Sequence, residues 1–134
     1  MASAYVIDTN IISYALERAE PSSDRVRAAI RQRVLLYLCP VVLFEVRRGF
    51  LHRPNARKSE AFERLAHFMR WDELTRQDWE RAAELWAVCE GSGRHADDAD
   101  LLIAAYAISR GATVVTDNVR HLGGLGVDIE NWQA

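Results

Sequence analysis

The chain has 134 residues, 49% hydrophobic and 27% charged, with a net charge of −2 and a pI near 6.1. That length suits one domain over 1–134 and is too short for two. The composition excludes a disordered or collagen-like chain, and the charge balance excludes a globally basic nucleic-acid binder.

Ala4–Ile7 is a short apolar run that stops at Asp8-Thr9-Asn10, residue types that favour turns and helix caps. No secretory apolar stretch precedes Asp8, so a signal peptide is not expected. Ile11, Ile12, Tyr14, Ala15 and Leu16 then follow helical spacing, which reads as a strand running into a helix. Pro21-Ser22-Ser23-Asp24 breaks the chain and caps a second helix, Asp24–Arg33. Val34–Cys39 is a continuous β-rich run, the pattern of a strand buried on both faces. It begins the longest uncharged stretch, Val34–Phe44, which falls well short of the roughly 20 residues a membrane span needs. Pro40 fits the start of a helix through Val42, Phe44, Val46 and Phe50. His52–Lys58 reads as a loop, Ser59–Arg70 and Asp78–Glu90 as amphipathic helices, and Gly91-Ser92-Gly93 as a break. Asp97–Arg110 is a strong helix, with acids at its start and Gly111 after its end. Thr113–Thr116 and Val127–Ile129 read as strands separated by the turn Gly123-Gly124-Leu125-Gly126. Strands alternating with helices predict an α/β domain with a parallel sheet of about four strands.

In such a sheet the ligand crevice lies outside the carboxyl ends of the strands. Asp8 follows the first strand directly and Asp117 follows Thr113–Thr116, so both sit at that edge. Glu45 lies on the second turn of the helix leaving Val34–Cys39, and Asp100 lies in the first turn of Asp97–Arg110. The Asp100, Ala104 and Ala107 face is small enough to approach the sheet closely. Each acid also has an ordinary reading: Asp97, Asp98 and Asp100 suit a helix cap, Asp8 and Asp117 suit turns, and Glu45 suits a surface pair with Arg48. Together they suggest a cluster whose mutual repulsion a divalent cation would relieve. Mg²⁺ and Mn²⁺ prefer such oxygen ligands and accept phosphate oxygens in the positions left open.

Asp8-Thr9-Asn10 after a strand, Phe44-Glu45-Val46-Arg47-Arg48-Gly49 on an early helix, Asp100-Leu101-Leu102-Ile103-Ala104-Ala105 at a helix start and Thr116-Asp117-Asn118 after a late strand resemble a PIN domain. Their order, and the closing Gly126-Val127-Asp128-Ile129-Glu130-Asn131-Trp132, are similar to the VapC toxins of bacterial toxin–antitoxin pairs. The resemblance spans essentially the whole chain. It implies a PIN-like parallel sheet of about four to five strands sandwiched by helices. It also implies an endoribonuclease that uses Mg²⁺, with Mn²⁺ able to substitute, to hydrolyse RNA phosphodiester bonds. Asp8, Glu45 and Asp100 would be the core metal ligands and Asp117 a fourth, less invariant one. Asp97 or Asp98 would assist through water, and Thr9, Thr116 and Asn118 would hydrogen-bond ligands or phosphate. A VapB-type antitoxin, a homodimer, a cytoplasmic location and an RNA target that is commonly tRNA complete the implication.

Two other functions fit the same scaffold. A phosphoryl-transfer enzyme of the haloacid dehalogenase type also places Asp after its first strand. It wants a second Asp where Asn10 stands and a nearby lysine, and the single lysine, Lys58, falls in the predicted loop. A catalytically silent RNA- or partner-binding module is the other alternative, one that would bind without turnover.

The remaining features stay open. Arg47, Arg48 and Arg53 belong to an acid-free basic segment that suits an RNA backbone, an antitoxin tail or plain surface. Trp71, Trp79, Trp86 and Trp132 suit base stacking, while the seven-residue recurrence of Trp79 and Trp86 suits packing or a dimer seam better. His52, His67, His95 and His121 share no ligand spacing and are left outside the site. Cys39 and Cys89 read as buried thiols in a reducing compartment.

Overall fold

Five strands pair side by side in the order β3-β2-β1-β4-β5, and every pairing is parallel. This arrangement comes from a computed structural model that describes residues 2–134. In chain order the elements are β1 (Ala4–Ile7), α1 (Thr9–Leu16), α2 (Ser22–Arg31), β2 (Leu35–Leu38), α3 (Pro40–His52), α4 (Ala56–Ala66), β3 (Arg70–Trp71), α5 (Arg76–Gly91), α6 (Asp98–Ser109), β4 (Thr113–Val115), α7 (Val119–Leu122) and β5 (Ile129–Glu130). The expected α/β class with a helix-flanked parallel sheet is borne out.

The strand order locates the crevice. From β1 the chain moves outward through β2 to β3, then returns to the other side of β1 for β4 and β5. Parallel crossovers are almost always right-handed, so the two runs put their helices on opposite faces. The strand order therefore reverses between β1 and β4, and a cleft opens at their carboxyl ends. β1 is central and wholly buried, with Tyr5 between Leu36 and Thr113, and Val6 between Tyr37 and Val114.

Helix α6 is apolar almost all round, which marks a helix enclosed by the protein. Leu101, Ile103, Ala104, Ala105, Tyr106 and Ala107 are all buried. Its alanines let its backbone lie close to β1 and β4, and this brings Asp100 to the cleft. Gly111, at φ +62, supplies the left-handed residue that ends the helix.

The far end of α6 is fastened by Arg110, whose side chain is 9% exposed. Its guanidinium donates to Asp72 at 2.8 Å, to Asp78 at 3.1 Å and to the Glu73 carbonyl at 2.9 Å, and lies 3.6 Å from the Tyr106 ring centroid. Asp78, fully buried, also accepts from Ser109 Oγ at 2.6 Å and closes the capping box of α5 with Thr75. Burial pushes the Asp78 carboxyl up. The Ser109, Thr75 and Arg110 hydrogen bonds and the Arg110 charge outweigh it and hold the group below the usual carboxylate range.

Several boundaries differ from expectation for local reasons. The predicted loop His52–Lys58 shrinks to residues 53–55, because Asn55 accepts from the Lys58 N–H at 3.0 Å and caps α4 early. Lys58 is thus helical and pairs with Glu17 at 3.2 Å. The predicted helix Ser59–Arg70 stops at Ala66, and Arg70–Trp71 is an edge strand whose two exposed residues carry no apolar run. α2 begins at Ser22, with both Ser22 and Ser23 buried, and the last strand is Ile129–Glu130. The short α7 is an addition to the predicted elements, having too few residues to show periodicity. No described helix is long and apolar enough to cross a membrane. Cys39 and Cys89 are buried free thiols, and burial pushes Cys39 up to about 12, which leaves it unreactive.

Candidate active site

Asp8 leaves β1 in extended geometry, with its N–H on the Val115 carbonyl at 2.9 Å, and caps α1. The residue is 5% exposed. Its Oδ1 accepts from the Thr9 N–H at 2.8 Å, and its Oδ2 accepts from Thr116 Oγ1 at 2.8 Å and Asn10 Nδ2 at 3.2 Å. Burial nevertheless raises its pKa beyond what these hydrogen bonds offset, and the Glu45 charge adds to the rise.

Glu45, on α3, accepts from Thr9 Oγ1 at 2.8 Å and faces Arg48 at 3.6 Å, as its spacing suggests. Thr9 therefore ties the two carboxylates together, one through its backbone and one through its hydroxyl. Thr116, completely buried, accepts from the Asn118 N–H at 2.9 Å while it donates to Asp8. Asp100, in the first turn of α6, is 8% exposed. Its pKa is raised to about 6, first by burial and then by the charges of Asp8 and Asp97, with Glu45 adding and His121 opposing. Its Oδ2 is buried and has no hydrogen-bond partner among the described residues. A buried carboxylate oxygen without a donor is costly, and a cation is the partner that suits it.

Asp117 stands at the same edge but is engaged differently. Tyr14 donates to its Oδ2 at 2.6 Å, and its N–H donates to Asn10 Oδ1 at 3.2 Å. Asp97 occupies the N-cap of α6, yet its side chain makes no capping hydrogen bond. It lies instead beside His95 at 3.6 Å. Asp98 is exposed and lines a separate apolar groove with Trp79 and Trp86. Arg47 pairs with Glu63 and stacks on Phe62, away from the carboxylates. Arg53 lines a cavity of about 440 Å³ that starts at Thr9 and Glu45 and runs past Asn55 and Lys58.

His121, which ligand spacing leaves outside the site, stands beside it. Its Nδ1 lies 3.9 Å from Asp100 Oδ2, and Asp97, Asp100 and His121 offer ligand atoms all within 4.8 Å of one another. The signal in the sequence is Asn118 followed three residues later by His121, one helical turn after the Asp117 edge. A search for pairs of histidines misses it. Asn10 and Tyr14, the partners of Asp8 and Asp117, are not marked in the sequence as such, because Asn10 reads as a turn or cap residue and Tyr14 as one more position of a helical apolar spacing.

The carboxylate cluster sets a pH dependence. Asp100 is raised in the folded state, so its contribution to stability is present near and below its unfolded value of about 3.9 and is lost as pH rises through about 6. In chelator, Asp100→Asn is expected to be more stable than the parent at pH 7.5, with the gap closing toward pH 4.5. Thermal unfolding at both pH values checks this, and a variant weaker at both would contradict it.

The PIN domain family model matches residues 5–122. Among solved structures, the chain is similar to one in a Rickettsia felis VapBC2 complex bound to a promoter DNA fragment, with 22% identity, 96% of this chain and 98% of that chain covered, and a TM-score of 0.85. It is also similar to a chain in DNA-bound VapBC from Salmonella typhimurium, with 23% identity, 98% and 99% coverage and a TM-score of 0.82. A chain of VapBC-5 from Mycobacterium tuberculosis gives 25% identity, 98% and 99% coverage and a TM-score of 0.70. No curated protein matches the sequence.

Proposed function

The chain belongs to the PIN domain family, and on that premise we propose that it is a Mg²⁺- or Mn²⁺-dependent endoribonuclease acting as the toxin of a toxin–antitoxin pair. The observation that carries the reading is the unpartnered, buried Oδ2 of Asp100 at the β1–β4 switch point, in the electrostatic field of Asp8 and Glu45. Asp8, Glu45 and Asp100 would hold the cation, with Asp117 as a fourth acid. When bound, the cation lowers the pKa of a coordinated water and stabilises charge on the phosphate and leaving oxygens. Thr116, Asn10 and the Thr9 N–H orient the Asp8 carboxylate, while the Thr9 hydroxyl orients Glu45. Arg48 beside Glu45, and Arg53 with Lys58 along the adjoining cavity, offer charge to an RNA backbone or to an antitoxin segment entering from that side.

The likeness to chains solved within VapBC complexes supports a VapB-type antitoxin as partner. A cytoplasmic site of action and a structured RNA target such as tRNA are part of the same proposal and rest on the resemblance of the sequence motifs alone. Trp79 and Trp86, 54% and 48% exposed, fit a homodimer seam better than a packed core. The phosphoryl-transfer alternative loses ground: Lys58 is paired with Glu17, and Asn10 is occupied by Asp8 and the Asp117 N–H.

The test is cleavage of total cellular RNA by the antitoxin-free protein with Mg²⁺, with Mn²⁺ and with EDTA, alongside Asp100→Asn. Discrete fragments that need both the metal and Asp100 are the expected result. Intact RNA in every lane, from a folded protein that binds Mn²⁺, would replace this reading with the silent binding module.

A further inference from the structure

Two features around α7, at Asp97 and His121, are left over by the carboxylate site and flank its Asp100. Asp97 sits at a helix N-cap but gives its carboxylate to no backbone N–H, unlike Asn55 and Thr75 at the caps of α4 and α5. Asp100 Oδ2 is buried and unpartnered, with His121 Nδ1 at 3.9 Å, too far for a hydrogen bond. His121 itself is held in place. Arg94 donates to its carbonyl at 2.7 Å, and Asn118, whose own N–H is fixed by Thr116, lies 3.1 Å from its Nδ1 through the side-chain amide. With Asn118 Nδ2 donating, the ring proton sits on Nε2 and the single lone pair of Nδ1 accepts from that amide, so a cation at Nδ1 takes the amide's place.

We propose that Asp97, Asp100 and His121 form a nitrogen-containing cation site that takes a first-row transition ion such as Mn²⁺ in preference to Mg²⁺. Ligand atoms of one such ion stand about 3–4 Å apart. The 3.9 Å separation of Asp100 and His121 already falls in that range, and the set lies within 4.8 Å overall. The remaining closure can come from Asp97, whose side chain is 67% exposed and uncommitted to the helix. Imidazole suits transition ions and is a poor ligand for Mg²⁺, which prefers oxygen and water. Asp8 and Glu45, both oxygen donors, carry no such preference. The inference rests on Asp100 as a cation ligand, and not on RNA as the substrate.

The experiment measures Mn²⁺ and Mg²⁺ binding by calorimetry, and the nitrogen modulation of bound Mn²⁺ by pulsed electron paramagnetic resonance. The full chain is compared with His121→Gln and Asp100→Asn, each checked for folding by circular dichroism. The parent is expected to show imidazole nitrogen coupling. His121→Gln should lose that coupling and about tenfold or more in Mn²⁺ affinity, with Mg²⁺ affinity little changed. A parent spectrum without nitrogen coupling, or coupling that survives His121→Gln, overturns the proposal. In the first case, Mn²⁺ binding that still needs Asp100 leaves the carboxylate site standing. Nitrogen coupling in a protein that cuts no RNA would instead retain this site and remove the nuclease reading.

Discussion

Asp8→Asn is expected to reduce RNA cleavage by about a thousandfold or more, roughly 4 kcal/mol of transition-state stabilisation, while leaving the fold intact. The two halves of this result have separate causes. Asparagine is as good an N-cap as aspartate and keeps an oxygen for the Thr9 N–H. Its amide removes the acceptor that Thr116 Oγ1 and Asn10 Nδ2 now use, a local cost set against the burial of charge that the variant relieves. The variant also removes a charge that burial and Glu45 both disfavour, so its melting temperature without metal should match or exceed that of the parent. The charge is what a cation needs, and a neutral amide at this position would not supply it. Cleavage assays beside thermal melts check both halves. Retained cleavage would remove Asp8 from the chemistry, and a collapsed fold would make it a structural residue.

Arg110→Met is expected to have the largest effect on stability, about 3–5 kcal/mol, because it leaves the buried Asp78 carboxylate without its cation. For a chain of this size that corresponds to a fall in melting temperature of about 11–18 °C. Adding Asp78→Asn should recover part of the loss, since the amide removes the stranded charge and keeps an oxygen for Ser109 or Thr75. Acid provides a second check. Asp78 is held below its ordinary value in the fold, so its contribution is present above about pH 4 and is lost as pH falls through the lower folded value. The gap between parent and Arg110→Met should therefore narrow below pH 4. A constant gap would point to lost packing on Tyr106 in place of lost charge pairing.

How much of the molecule is legible in its sequence depends on length and on hydrogen bonds. Ala4–Ile7, Val34–Cys39 and the Asp97–Arg110 helix declare themselves because burial on all sides leaves continuous apolar runs, and the placement of Asp8 and Asp100 follows directly. Arg70–Trp71 is illegible because a two-residue edge strand, exposed on both residues, has no period to detect. The Asn55 cap is hidden because a side chain that accepts from Lys58 N–H looks, in sequence, like one more polar loop residue. His121 escapes for a related reason. Its partners Asp97 and Asp100 lie on a different element, and a four-residue helix brings them together without any sequence spacing to announce it.

The central strand β1 lies far along the chain from one of its two neighbours, β4. Asp8 depends on Thr116, which lies 108 positions further along the chain, and Asp100 meets His121 only once the segment after β4 has formed. A polypeptide still on the ribosome, or one cut short before Thr113, would have β1 open on one side and Asp8 without its buried hydroxyl donor. A competent site therefore needs segments from both ends of the fold in place together.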